Sequence, residues 1–97
     1  RARIPCADYA TFGTPELSAN VLRALDGGLR ACLMANHGQV AAGKSLADAL
    51  ALAEEVENLA RQYILARSLG HTRDLPAEEM DEVLRRFRHY GQQRRTE

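Results

Sequence analysis

The chain has 97 residues, 45% of them apolar, and its 13 basic residues balance 13 acidic ones to zero formal net charge. A chain of this length buries one modest core at most, and its neutrality removes the long-range field that a nucleic-acid or anionic-membrane partner requires, so neither is expected. No apolar run approaches the ~18 residues needed to cross a bilayer, and no basic leader precedes an apolar block, which makes a soluble, cytoplasmic protein the expectation.

The first residue is Arg1 rather than Met, and residues 1–7 read as a strand that must find its sheet partners elsewhere; the sequence is expected to be a truncated piece of a longer chain. A turn-like stretch, Ala7 to Gly13, leads to Thr14-Pro15-Glu16, where a capping hydroxyl, a proline at the first helical position and an acid in the first turn start a helix. Leu17, Val21, Leu22 and Leu25 give that helix its apolar face, and Gly27-Gly28 is the expected stop. Two short apolar runs then meet at Asn36-His37-Gly38, and Asn-x-Gly is turn chemistry because both residues tolerate positive φ. Ser45-x-x-Asp48 resembles a capping box for a long helix, with an apolar stripe from Leu46 through Ala53, Val56 and Tyr63 to a stop near Gly70. Glu54, Glu55, Glu57 and Arg61 read as its solvated face, with no chemical role assigned.

After the linker 70–75, Pro76 opens a third helix carrying Met80, Val83, Leu84 and Phe87 on one side, with Tyr90-Gly91 as its expected close and residues 92–97 as a polar tail. The arginines at its end and in the tail read as helix-dipole compensation rather than an anion site. Cys6 and Cys32 fall in apolar strand-like segments without a CxxC, so both are expected to be reduced core residues.

His37 is the one residue whose position suggests chemistry. An imidazole held at a strand end by rigid neighbours is well placed to bind a metal or move a proton, although a turn histidine touching water is the plainer reading. A zinc site needs three or four ligands, and His71 and His89 lie apart from it on a linker and a helix end, so the site is incomplete in this sequence. No phosphate-binding glycine loop, dinucleotide fingerprint or Gly-x-Ser-x-Gly elbow occurs, and the aromatic residues are too scattered for a base-stacking platform.

The segment from Ile4 through Tyr9-Ala10-Thr11-Phe12-Gly13-Thr14 to Leu17, then Asn36-His37-Gly38, the long Ala/Glu-rich helix and the closing Phe87-Arg88-His89-Tyr90-Gly91 resemble, in that order, the C-terminal part of the class II aldolase/adducin family. The resemblance covers nearly all 97 residues but less than half of a family chain. It implies a three-layer α/β/α fold around a mainly antiparallel sheet, of which residues 1–97 are the C-terminal part of a single domain, running strand, helix, β-hairpin, long helix, helix. It also implies a zinc-dependent aldolase that cleaves a ketose 1-phosphate of the L-fuculose 1-phosphate kind to dihydroxyacetone phosphate and an aldehyde through a metal-stabilised enediolate. Imidazole ligands discriminate poorly among divalent ions, so another metal is compatible with this reading.

Residue by residue, His37 matches the family's third zinc histidine, Tyr90 the tyrosine of a C-terminal tail that reaches a neighbouring subunit's active site, and Phe12 an apolar residue of the aldehyde pocket. The family's His-x-His pair, its glutamate base and its phosphate loop have no match here. The implied partners are a sugar-phosphate substrate and further copies of the chain, in a homotetramer with active sites at its interfaces; alone, the segment is expected to be inactive. Two alternatives stay open: a non-catalytic, adducin-like assembly module, and a sister enzyme such as a pentulose-phosphate 4-epimerase or a dehydratase, which shares the zinc site.

Overall fold

A computed structural model describes the backbone of residues 3–96 and the side chains of residues 3–87. The elements run β1 (Cys6–Ala7), α1 (Pro15–Ala24), β2 (Ala31–Met34), β3 (Gly38–Ala41), α2 (Leu46–Ser68) and α3 (Ala77–Thr96), the order that the sequence predicts. The three strands form one sheet in the order β1-β2-β3, in which β1 pairs parallel with β2 and β2 antiparallel with β3. Parallel neighbours need a crossover, and α1 supplies it, so β1-α1-β2 is a βαβ unit. The three described strands are therefore a mixed sheet.

Alternation along the strands separates two faces. The register sets Cys32 opposite Val40 on one face, and Cys6, Leu33 and Gln39 in a cross-strand row on the other. Gln39 Nε2 donates to the Ala53 carbonyl at 3.0 Å, which puts α2 on the Gln39 face. Cys32 is 0% exposed on the opposite face, and α1, which packs against β1 and β2, is the layer that covers it. The result is three layers, α/β/α, with Ala7, Cys32 and Val56 as the buried apolar residues among those described.

Local chemistry accounts for the helix starts. Thr14 Oγ1 accepts from the Leu17 N–H at 3.3 Å and donates to the Thr11 carbonyl at 2.6 Å, with Pro15 in the first turn. Ser45 Oγ accepts from the Asp48 N–H at 3.1 Å, which is half of the expected capping box.

The structure corrects several expectations. Residues 3–5 are not strand, and β1 is confined to Cys6–Ala7. Pro5 has no N–H to continue a ladder; its carbonyl still accepts from the Leu33 N–H at 2.8 Å, and Ala7 O from the Ala35 N–H at 3.1 Å. Helix α1 ends at Ala24, and Gly27 and Gly28 form the following turn with φ of 84° and 82°. Leu22 is 71% exposed, because the covered face of α1 runs through Leu17, Val21, Ala24 and Leu25. On α2, Ala49, Leu52, Ala53 and Val56 face the sheet, whereas Leu46, Leu50, Tyr63 and Ile64 are exposed.

Helix α3 continues through Gly91 to Thr96 instead of closing there. An interior glycine weakens a helix by about 1 kcal/mol without blocking it, and helix-forming glutamines and arginines follow. Among the described residues, α3 packs against no other element. Cys6 is exposed; only Cys32 is a core thiol, and both are free.

Candidate functional site

The Asn36-His37-Gly38 turn joins β2 to β3 and forms as the sequence predicts: Asn36 adopts φ 67°, Gly38 φ 150°, and the His37 N–H donates to the Met34 carbonyl at 2.9 Å. Asparagine is among the few side chains that enter the left-handed region readily, and glycine enters it without a Cβ penalty. The turn therefore lifts His37 to the end of the sheet as an exposed side chain.

Two neighbours from the segment after β1 meet its ring. Tyr9 stacks on it with centroids 5.4 Å apart and planes 11° from parallel, and His37 Nε2 lies 2.8 Å from the Ala10 carbonyl oxygen. A carbonyl only accepts, so Nε2 carries a proton in this contact, which in a neutral ring puts the lone pair on the other nitrogen. Metal-binding histidines are commonly prepared in this way, with one ring nitrogen donating to a carbonyl and the other left to ligate.

Beside His37 lies an open depression of about 510 Å³, to which Cys6, Leu33, Met34, Gln39 and Glu57 also contribute. Gln39 Oε1 is buried with no hydrogen-bond partner among the described residues, although its Nε2 is bonded to α2. Burial pushes the Cys32 thiol above its ordinary range, with Cys6 adding to the rise, so the proton stays on sulfur at neutral pH.

Of the two predicted site residues whose side chains are described, His37 and Phe12, the structure brings His37 to this depression. Phe12 is 79% exposed on the turn before α1 and is not among the lining residues. The side chain of Tyr90 lies outside the described residues, its backbone being part of α3. Sequence reasoning missed Tyr9 and Gln39 and set Glu57 aside as surface. The one available signal was Gln39, a polar side chain opening an otherwise apolar strand.

Among the described residues, no group of three or more His, Cys, Asp or Glu side chains is disposed to hold a metal ion. The exposure of His37 and the second nitrogen of its ring suit metal ligation, and it would supply one ligand.

A family model described as "Class II Aldolase and Adducin N-terminal domain" matches residues 1–64, which include β1, the His37 turn and most of α2. The chain belongs to the class II aldolase/adducin family. It is 49% identical over 83 residues to a 5-methylthioribulose-1-phosphate/5-deoxyribulose-1-phosphate aldolase of Rhodospirillum rubrum, a match covering 86% of this chain and 37% of that one. It is 46% identical over 91 residues to the L-fuculose phosphate aldolase of Escherichia coli strain K12, covering 91% of this chain and 41% of the relative.

The solved structure of an L-fuculose 1-phosphate aldolase superimposes with a TM-score of 0.80 at 42% identity, over 88% of this chain and 40% of that one. The three-layer arrangement is thus part of the class II aldolase fold. This chain spans about two-fifths of the length of these relatives.

Proposed function

We propose that residues 1–97 are the C-terminal part of a single class II aldolase domain, in a zinc-dependent lyase that cleaves a ketose 1-phosphate into dihydroxyacetone phosphate and an aldehyde. The observation that carries this reading is the His37 ring, whose proton is committed to the Ala10 carbonyl while its other nitrogen is free, on a turn inside the segment that matches the family. When bound, zinc would supply Lewis acidity that polarises the ketose carbonyl, so that it can take up the electron pair of the breaking C–C bond in cleavage, and that acidifies the C–H bond of dihydroxyacetone phosphate in the reverse condensation.

In this proposal His37 holds the metal as one ligand of several. A His-x-His pair, a glutamate base and a phosphate loop complete the site and are not found in this sequence. Phe12 forms an apolar wall against the aldehyde half of the substrate. The Tyr90 hydroxyl orients the aldehyde oxygen and gives it a proton in the condensation direction, the same proton leaving that oxygen as the C–C bond breaks in cleavage; it acts on a neighbouring subunit of a homotetramer. In this reading the enzyme works in the cytoplasm.

The names of the relatives support a ketose 1-phosphate, and the 5-deoxy and 5-methylthio groups of one of them place an apolar end on the aldehyde product, which suits Phe12. The test is elemental analysis of the polypeptide carrying this chain, with cleavage of L-fuculose 1-phosphate and 5-deoxyribulose 1-phosphate measured with and without a chelator. About one zinc per subunit and chelator-sensitive cleavage are expected. The His37→Ala variant should lose both, and Tyr90→Phe should keep its zinc and turn over more slowly. A folded oligomer without metal or activity would replace this reading with an assembly module, and zinc without cleavage would indicate a sister enzyme.

A further inference from the structure

We propose that Tyr9 is a positioning residue for His37, and that its ring and the Ala10 carbonyl form a two-sided clamp that fixes the plane and tautomer of the imidazole. The inference rests on His37 being a metal ligand and adds a residue to that site. The geometry has two parts. A hydrogen bond from Nε2 to Ala10 O, 2.8 Å long, fixes one ring nitrogen but leaves the plane free to swing about that contact. The Tyr9 ring, 5.4 Å away and only 11° from parallel, restricts the swing, because tilting the imidazole about that hydrogen bond gives up its stacked contact with the tyrosine face.

Both groups come from consecutive residues, so one short segment sets both restraints. That segment is anchored by the two residues that precede it. The Ala35 N–H donates to Ala7 O at 3.1 Å, and the Asn20 side-chain amide to Asp8 O at 3.0 Å. Tyr9 is itself 56% exposed, so it is not a core side chain, and its ring is stacked on that of His37. A mobile imidazole would lose orientational freedom each time it ligated a metal; a clamped one has already lost it.

The clamp is tested by selective ¹⁵N labelling of histidine, comparing the polypeptide that carries this chain with its Tyr9→Phe and Tyr9→Leu variants, without metal and at a pH where the ring is neutral. The wild-type chain should show one tautomer, with the proton on Nε2, and His37 ring protons shifted upfield by the tyrosine. The Tyr9→Phe variant keeps the stacked face and should preserve both signatures. Tyr9→Leu should mix the tautomers and lose the upfield shift, while the amide spectrum away from the turn stays in place.

In the zinc-holding polypeptide, competition with a chromogenic chelator should show affinity falling by about 10- to 100-fold in Tyr9→Leu and unchanged in Tyr9→Phe, the size expected when a partner of a ligand is lost. An unchanged single tautomer and unchanged affinity in Tyr9→Leu would overturn the clamp. A wild-type polypeptide that holds no zinc but shows the ring signatures would instead remove the aldolase reading and leave the clamp standing.

Discussion

Gln39 donates from Nε2 to the Ala53 carbonyl at 3.0 Å, while its Oε1 is buried with no partner. One side chain thus ties the sheet to α2, lines the depression beside His37 and carries an acceptor that no described residue satisfies. Replacing it with leucine removes one hydrogen bond, worth about 1 kcal/mol, together with the desolvation cost of the lone acceptor, of similar size, so urea midpoints should move little. Gln39→Glu should destabilise by about 1–3 kcal/mol at neutral pH, because a carboxylate cannot donate to Ala53 O. That loss should shrink on acidification, as the acid regains a proton to donate. Equal stability of the Glu and Leu variants at pH 7 would contradict the assigned direction of the bond.

Gly43 is needed for space. A Cβ built there would lie 2.7 Å from the Ala49 backbone nitrogen and 2.9 Å from Asp48 Cβ, both in the first turn of α2. Backbone cannot yield as a flexible side chain can, so Gly43→Ala should cost about 1–3 kcal/mol in denaturant unfolding. Gly28→Ala meets no atom within 4 Å, yet it would strain a φ of 82°. Its cost should come from backbone conformation alone.

The two thiols should separate cleanly by reactivity. At mildly alkaline pH a thiol reagent should modify exposed Cys6 quickly and reach Cys32 only as the chain unfolds. Because burial raises the Cys32 thiol, the folded state holds that proton more tightly than the unfolded one. The associated stability is complete below the ordinary thiol range and is lost as pH rises through the folded value. Unfolding midpoints followed from pH 7 into the alkaline range, with Cys32→Ala as the reference, should show that decline in the parent only.

Glu82 contacts both Arg85 and Arg86, and their hydrogen bonds lower its carboxyl below the usual range. A lowered carboxyl favours the folded helix above its unfolded pKa and loses that contribution as pH falls through the folded value. Helicity of α3, read by circular dichroism, should therefore drop in acid more in the parent than in Glu82→Gln. Salt should reduce the difference at neutral pH, because the pairs are on the surface.

Much of the fold was readable from local chemistry. Thr14, Ser45 and the Asn36/Gly38 turn fixed element starts because each acts on its own neighbours. The errors lie where partners are distant. Leu22, Leu46 and Tyr63 have helical spacing, but which leucines are covered depends on what packs against the helix. Cys6 resembles Cys32 in its apolar surroundings, yet the register turns it to the opposite face, where α2 leaves it exposed. His37 announced itself by its turn. Tyr9 did not, since 28 positions separate it from the ring it faces and no periodicity spans that distance.

The parallel pairing of Cys6 with Leu33 also bears on how the site comes into being. The Ala10 carbonyl and the His37 ring meet only once the loop between them has closed around α1, and closing a loop of that size carries an entropy cost that local turn formation does not repay. The hairpin 31–41 can form early and present the histidine, but with its ring unrestrained. Orientation of the imidazole and closure of the βαβ unit are then one kinetic event, so a chain stalled with β1 undocked would hold a correct turn and a poor ligand.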